Sequence, residues 1–349
     1  SPHWSTTQVR GKEAQNTYTL GLGGFVGAGT APFQTVSYSF PEKSQLSRLF
    51  VYSESLDPND RPFRLYEGER ERLPNYTRGN SPSSTRAVFE LEGNTDRLTV
   101  LARNDASRAR LLGLVALSPR PGIVFSAHGL NGARFGILDE WDSKITHAQL
   151  HDYNPHLLIL AFGTNDIVNT RYVPAEFHAS LTNTATWISR HLPNAAILLI
   201  MPPHAPKNGG ETANNLHSAR NIMAQFASER GWRTWDWSQV TAAHCTSACL
   251  TRDGEAMFQP DGIHLSHKGY EESADMLFEA ILSGTHQRGT RELAPPAGDM
   301  IMLLCTKNNP TTRRNAPKEY RGFIWPNQKT EYACFNWIFC FATIRHDFR

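Results

Sequence analysis

An aspartate and a histidine three residues apart, in Asp261-Gly262-Ile263-His264, are the residues of this chain best suited to acid–base chemistry. On a tight turn the two side chains meet. The carboxylate then accepts the imidazole Nδ1–H, which fixes the tautomer and leaves Nε2 to take a proton from an attacking hydroxyl. Such chemistry also needs N–H donors aimed at a developing oxyanion. Asn165, in Gly163-Thr164-Asn165-Asp166, offers a side-chain amide, and Gly132, in Ser126-Ala127-His128-Gly129-Leu130-Asn131-Gly132, offers a backbone N–H. Each residue also has a plain structural reading. Asp261 forms turns and His264 is then an ordinary loop residue, while Asn165 and Asp166 cap helices and Gly132 supplies a positive φ. What favours chemistry is their joint order, each at a strand's end. His128 and Arg134, which flank the Gly132 loop, read as structural.

The segments around these residues alternate strand and helix from about Gly122 onward. Leu157-Leu158-Ile159-Leu160-Ala161-Phe162 is an unbroken apolar run, the pattern of a strand buried on both faces. Ile123–Phe125, Ile197–Ile200 and Trp232–Trp237 read as further strands. Helices are expected over Phe135–Leu150, Pro174–His191, Asn215–Arg230 and Ser266–Leu282, with Pro174 at a first turn where its missing N–H costs nothing. This rhythm predicts an α/β domain, a parallel sheet with helices on both faces, whose ligands bind at the carboxyl ends of the strands. The Trp232, Trp235 and Trp237 alternation reads as packing along a strand rather than as a sugar platform.

Residues 1–118 have a different texture. Thr35-Val36-Ser37-Tyr38-Ser39-Phe40 alternates with period two, and short apolar or alternating runs follow at 47–52, 62–66, 86–91, 97–102 and 111–117. Turn formers such as Asp57-Pro58-Asn59-Asp60 and Gly93-Asn94 separate them. Strands at that spacing suggest a β-sandwich or jelly roll. A carbohydrate-binding module is one reading of it, and a scaffold that binds nothing is the other. Residues 285–349 show no sustained period and read as an irregular, poorly ordered tail.

Composition excludes several classes. A net charge of +2 over 349 residues gives no basis for nucleic-acid or charged-membrane binding. No apolar run of about eighteen residues is present, so no transmembrane helix is expected. Cys245 and Cys249 either close a small loop disulfide, as suits an exported protein, or stand as two thiols. Their spacing is not a zinc signature, because no second ligand pair accompanies it.

Taken together, Gly129-Leu130-Asn131-Gly132-Ala133, Phe162-Gly163-Thr164-Asn165 and Asp261-Gly262-Ile263-His264-Leu265-Ser266 resemble the second, third and fifth blocks of the SGNH (GDSL-type) hydrolases. With the β-rich segment and Tyr18-Thr19-Leu20-Gly21-Leu22-Gly23-Gly24, the resemblance narrows to the peptidoglycan O-acetylesterases, in which a carbohydrate-binding-like β module is inserted between the first and second blocks. It covers about residues 1–284. It implies a flavodoxin-like SGNH domain over 119–284, a β-sandwich insert over 1–118, and a serine carbohydrate esterase that removes O-acetyl groups from peptidoglycan. His264 and Asp261 are then the catalytic pair, Gly132 and Asn165 the oxyanion donors. Neither metal nor organic cofactor is implied, and the location implied is periplasmic or secreted. The first block, a Gly-Asp-Ser after the first strand, is absent: the only Gly-Asp is Gly298-Asp299, followed by Met300. The nucleophile is therefore unassigned. The chain is expected to be a fragment without its first strand, inactive by itself. The alternative is a non-catalytic glycan-binding protein with an inert SGNH remnant.

Overall fold

The computed structural model describes residues 4–8, 25–29, 35–54, 63–73, 75–78, 84–91, 94–102, 110–117, 122–129, 132–140, 143–168, 171–204, 210–245, 249–286 and 339–345. The first ten strands are β1 (Trp4–Gln8), β2 (Phe25–Gly29), β3 (Thr35–Gln45), β4 (Arg48–Glu54), β5 (Phe63–Glu67), β6 (Arg70–Arg72), β7 (Asn75–Arg78), β8 (Ser84–Glu90), β9 (Asn94–Ala102) and β10 (Arg110–Leu117). They form two antiparallel sheets, one ordered β1-β2-β10-β4-β8-β7 and the other β3-β9-β5-β6.

Period-two alternation explains how these sheets meet. Leu49 and Val51 of β4, Ala87 and Phe89 of β8 and Leu111 of β10 point to one side. There they share a core with Phe63 and Leu65 of β5 and Leu98 and Val100 of β9. The intervening residues Phe50, Tyr52 and Val88 point to the other side and gather with Leu112 and Leu117. Each large apolar side chain so withdrawn from water contributes roughly 1.5–3 kcal/mol.

The remaining chain supplies β11 (Gly122–His128), α1 (Ser143–Tyr153), β12 (Leu157–Ala161), α2 (Thr164–Val168), α3 (Pro174–His191), β13 (Ala196–Met201), α4 (Glu211–Glu229), β14 (Arg233–Asp236), α5 (Trp237–Ala243), α6 (His267–His286) and β15 (Phe339–Arg345). The sheet order is β11-β15-β12-β13-β14. β12, β13 and β14 pair in parallel, and β11 runs in the same sense because both it and β12 are antiparallel to β15. Leu158 and Leu160 enter a core with α3 and α4 on one face. Ile159 meets Leu277 of α6 on the other. A strand buried on both faces must read as a continuous apolar run, as Leu157–Phe162 does.

Three expectations need adjusting. The tail is not irregular throughout: residues 285 and 286 continue α6, and Phe339–Arg345 form a strand. Residues 287–338 and 346–349 lie outside the described residues, as does the Tyr18–Gly24 run. β15 lies between β11 and β12, the interior place that a flavodoxin-like sheet gives to its first strand, which was expected to be missing. Its seven residues, rich in aromatic and β-branched types, pair with β11 from Gly122↔Arg345 to His128↔Phe339 and with β12 from Leu157↔Ala342 to Leu160↔Phe339. The helix expected over Phe135–Leu150 is also divided. A 3₁₀ turn occupies Ile137–Glu140, and α1 begins only at Ser143. Among the described residues, no helix is long and apolar enough to cross a membrane.

A polar contact joins the β-rich part to the α/β part. Asp152, near the end of α1, accepts Tyr52 Oη–H at 2.7 Å and Arg86 Nη1–H at 2.6 Å. Its side chain is 6% exposed and that of Arg86 27%. Burial, then the Asp152 charge, pushes the Tyr52 phenol well above its ordinary range. Removing the carboxylate leaves a half-buried guanidinium and a buried phenol without this partner. Asp152→Ala is therefore expected to cost about 2–4 kcal/mol, below the value for a fully buried pair because Arg86 is partly solvated. Asp152→Asn, which keeps an acceptor, should cost less. Chemical denaturation of the two variants checks the order.

Candidate active site

Local hydrogen bonding builds the Asp261–His264 turn. Asp261 Oδ1 accepts the backbone N–H of Ile263 at 2.9 Å and of His264 at 3.0 Å. Gly262 occupies the left-handed region at φ 69°. The other carboxylate oxygen, Oδ2, lies 2.7 Å from His264 Nδ1. Burial alone would raise the Asp261 pKa. The bonds from Ile263 N–H and from the ring and backbone of His264 outweigh it and hold the carboxyl below its ordinary value. An ionised carboxylate only accepts, so Nδ1 carries the hydrogen and Nε2 presents its lone pair. Both side chains are open to solvent, at 51% exposed for His264 and 44% for Asp261.

The turn is braced from below. Gln259 N–H donates to His264 O at 2.8 Å and Gln259 Nε2 to Leu265 O at 3.1 Å. Met257, Phe258 and Leu265 pack on Trp237, the first residue after β14. That contact places the turn at the carboxyl edge of the sheet. Ser266 then caps α6 by accepting Gly269 N–H at 3.0 Å, and the helix passes so close that a Cβ at Gly269 would lie 2.1 Å from Met257 O. Trp237 donates Nε1–H to Ser273 Oγ at 2.9 Å, and Trp235 joins it in packing against α6, so neither is a free platform.

At the same edge the loops after β11 and β12 are tied together. Gly163 follows Phe162 at φ 110°, and a Cβ there would stand 2.7 Å from Pro202 Cγ, so glycine is required on both counts. Asn165 donates its Nδ2–H to Ala133 O at 3.0 Å. Gly132, exposed and at φ 76°, is the residue before that carbonyl. Asp166 accepts Phe135 N–H at 3.2 Å, and Gly136 N–H reaches Thr184 Oγ1 at 3.3 Å. Withdrawal from water pushes the Asp166 carboxyl up to about 7, against the bond from Phe135 and the charge of Arg134. The structure thus brings Gly132 and Asn165 together at one loop contact and Asp261 and His264 together in one turn. The role of Asp166 was missed: an Asp after Gly-Thr-Asn reads as a helix cap, and its partner lies 31 residues away.

His128 sits below the loop, its Nε2 3.0 Å from Ser126 Oγ and its ring edge-on to Tyr153. Burial lowers its pKa to about 4, which keeps it neutral. Cys245 and Cys249 are joined by a disulfide. Among the described residues, no three His, Cys, Asp or Glu side chains gather as a metal site would require.

A sheet whose parallel strands β12, β13 and β14 send their loops to one carboxyl edge is an architecture that binds ligands at that edge. The family model for GDSL-like lipase/acylhydrolases matches residues 92–272, more than half of the 349 residues. The chain belongs to that family, whose members are hydrolases acting on ester bonds. Among solved structures it is similar to a peptidoglycan O-acetylesterase, at 19% identity and a TM-score of 0.59 over 81% of this chain and 76% of that one. That likeness shows the shared fold. Weaker likenesses include a lipase/acylhydrolase from Enterococcus faecalis (18% identity, 47% of this chain and 75% of that one, TM-score 0.31). A family two carbohydrate esterase from Clostridium thermocellum is another (14% identity, 75% and 94%, TM-score 0.33). No curated protein sequence matches the chain.

The turn makes a direct prediction. Asp261→Ala removes the acceptor of two backbone N–H groups, so amide exchange at Ile263 and His264 should quicken by about tenfold or more, the equivalent of about 1.4 kcal/mol. Asp261→Asn retains the oxygen and should stay near the wild-type rate. Equal rates in all three proteins would show that the carboxylate does not hold the turn.

Proposed function

We infer that this chain carries the acid–base pair and the oxyanion donors of an SGNH-type serine carbohydrate esterase. The observation that carries this reading is the 2.7 Å contact between His264 Nδ1 and Asp261 Oδ2, inside the stretch that the family model covers. In the reaction, His264 Nε2 takes the proton of a serine hydroxyl as its oxygen attacks the acyl carbonyl, and returns it to the departing sugar oxygen. Asp261 holds the ring and stabilises its charge. The Gly132 N–H and the Asn165 side chain receive the oxyanion, and a water activated by His264 then cleaves the acyl-enzyme.

The 349 residues contain no Gly-Asp-Ser, so the serine has no assigned position on this reading. The substrate favoured is an O-acetylated polysaccharide, with peptidoglycan first. The resemblance of the blocks supports that choice, and the name of the fold neighbour agrees with it. The two stacked sheets of the N-terminal part act as a β-sandwich that grips glycan. The Cys245–Cys249 disulfide supports a periplasmic or secreted location, since such bonds persist in oxidising compartments. The absent Gly-Asp-Ser favours one second reading, a glycan-binding protein whose hydrolase part is inert.

Hydrolysis of a nitrophenyl acetate tests this. The chain as it stands should release no acetate above a His264→Ala control, because loss of the nucleophile in such triads costs about 10⁴–10⁶ in rate. A chain in which a Gly-Asp-Ser strand is restored between β11 and β12, in the place that β15 occupies, should show turnover that His264→Ala abolishes. Turnover by the present chain that depends on His264 would place the nucleophile within it, with Ser126 the first residue to test. Glycan binding with no turnover after the strand is restored would favour the inert reading.

A further inference from the structure

The described part of the loop that bears Gly132 runs from Gly132 into the 3₁₀ turn at Ile137–Glu140. Its backbone donors turn outward: Phe135 N–H goes to Asp166 and Gly136 N–H to Thr184. Phe135 is 5% exposed and packs its ring against Phe162 at 4.9 Å and Phe177 at 5.6 Å. Phe162 is the last residue before Gly163. The same aromatic contact therefore joins the two loops from beneath, while the carboxyl of Asp166 joins them from the side. That carboxyl lies within reach of Phe135 N–H through both oxygens, at 3.2 and 3.4 Å, and also accepts the Gly163 N–H and its own. One side chain thus gathers backbone donors from both loops.

We propose that Asp166 is a positioning residue, a clamp that sets the separation between the Gly132 N–H and the Asn165 side chain by holding Phe135 N–H against the Gly163–Asp166 loop. The proposal rests on the reading of Gly132 and Asn165 as oxyanion donors. The spacing of such donors decides whether both reach one oxygen, and a displacement of about 1 Å is enough to lose a large part of the effect. The Asn165 side chain meets the Ala133 carbonyl of the same loop at 3.0 Å, and the Asp166 clamp holds that loop two residues further on.

The clamp has a further property. Arg134, on the loop being held, is the charged group that acts on Asp166. With its pKa raised to about 7 from 3.8, the carboxyl is neutral at mildly acid pH and ionised above neutrality. The native state then binds more protons than the unfolded chain between about pH 4 and 7. Stability therefore falls as pH rises through that window and levels off above it. The neutral form also keeps a negative charge away from the place where an oxyanion would develop.

Amide exchange across Ala133–Gly136 in the full chain tests the clamp, with β12 amides as the folding control, at pH 5.5 and 8.5 after correction for intrinsic rates. Asp166→Ala should speed exchange at Phe135 about tenfold or more while β12 stays protected. Asp166→Asn, which keeps the acceptor and cannot ionise, should restore protection to within about threefold of wild type and remove its dependence on pH. Unchanged exchange in Asp166→Ala would overturn the proposal, as would an Asn variant as poor as Ala. If the Ala variant fails to fold, the Asn variant decides: a flat pH response supports the clamp and a wild-type response overturns it. The readout is loop protection rather than hydrolysis. A negative result removes the role of Asp166 and leaves the oxyanion reading to the ester assay.

Discussion

The parallel pairing of β12, β13 and β14 is the constraint on which the site depends. Parallel strands need crossover connections, so each is followed by a loop and a helix, and every such loop emerges at one edge of the sheet. Phe162-Gly163 leaves β12 there, Met201-Pro202 leaves β13, and Trp237 leaves β14. The crowding is measurable: Gly163 has no room for a Cβ because Pro202 stands beside it. The turn of Asp261 and His264 is far from these strands in sequence. It reaches the same edge because Met257, Phe258 and Leu265 pack on Trp237. A register that moved β13 relative to β12 would shift the two walls of the candidate site against each other.

Two kinds of order meet at that edge. The Asp261–His264 turn is made almost entirely of local bonds, with one carboxylate oxygen for the backbone and the other for the ring. It can be exposed because it needs little burial to keep its shape. The Gly132 and Asn165 loops are tied by long-range bonds and by packed aromatic rings. An acid–base group that exchanges protons with water is served by exposure. Donors for an oxyanion are served by rigidity, since their contribution comes from not having to reorganise.

This difference also decides what was legible in the sequence. The turn could be read directly, because three-residue spacing and local bonding are sequence properties. The run Leu157–Phe162 revealed a two-sided buried strand, and Pro174–His191 proved to be a helix over those same residues. The expected helix over Phe135–Leu150 was misread for a non-local reason. Phe135 and Gly136 give their N–H groups to Asp166 and Thr184, on other elements, and Gly136 stands at φ 93°. At Trp232–Trp237 the strand stops one residue early, because Asp236 accepts Ser238 N–H and caps a short helix. β15 was invisible for a similar reason. Phe339–Arg345 gains its identity from two strands far away in the chain, and nothing local announces that partnership.

The central claim is that the two tied pairs, Gly132 with Asn165 and Asp261 with His264, face one reacting centre. A reacting atom must lie about 3 Å from both the oxyanion donors and the attacking group, so the donors and the imidazole have to line a single small pocket. An NMR titration with a small tetrahedral oxyanion, methylphosphonate, reads this without requiring a nucleophile. The Gly132 amide, the Asn165 side-chain amide and the His264 ring should shift together and follow one saturation curve. Separate curves, or shifts at the Gly132 and Asn165 loops with none at His264, would show that the pairs belong to different places and that the account is wrong.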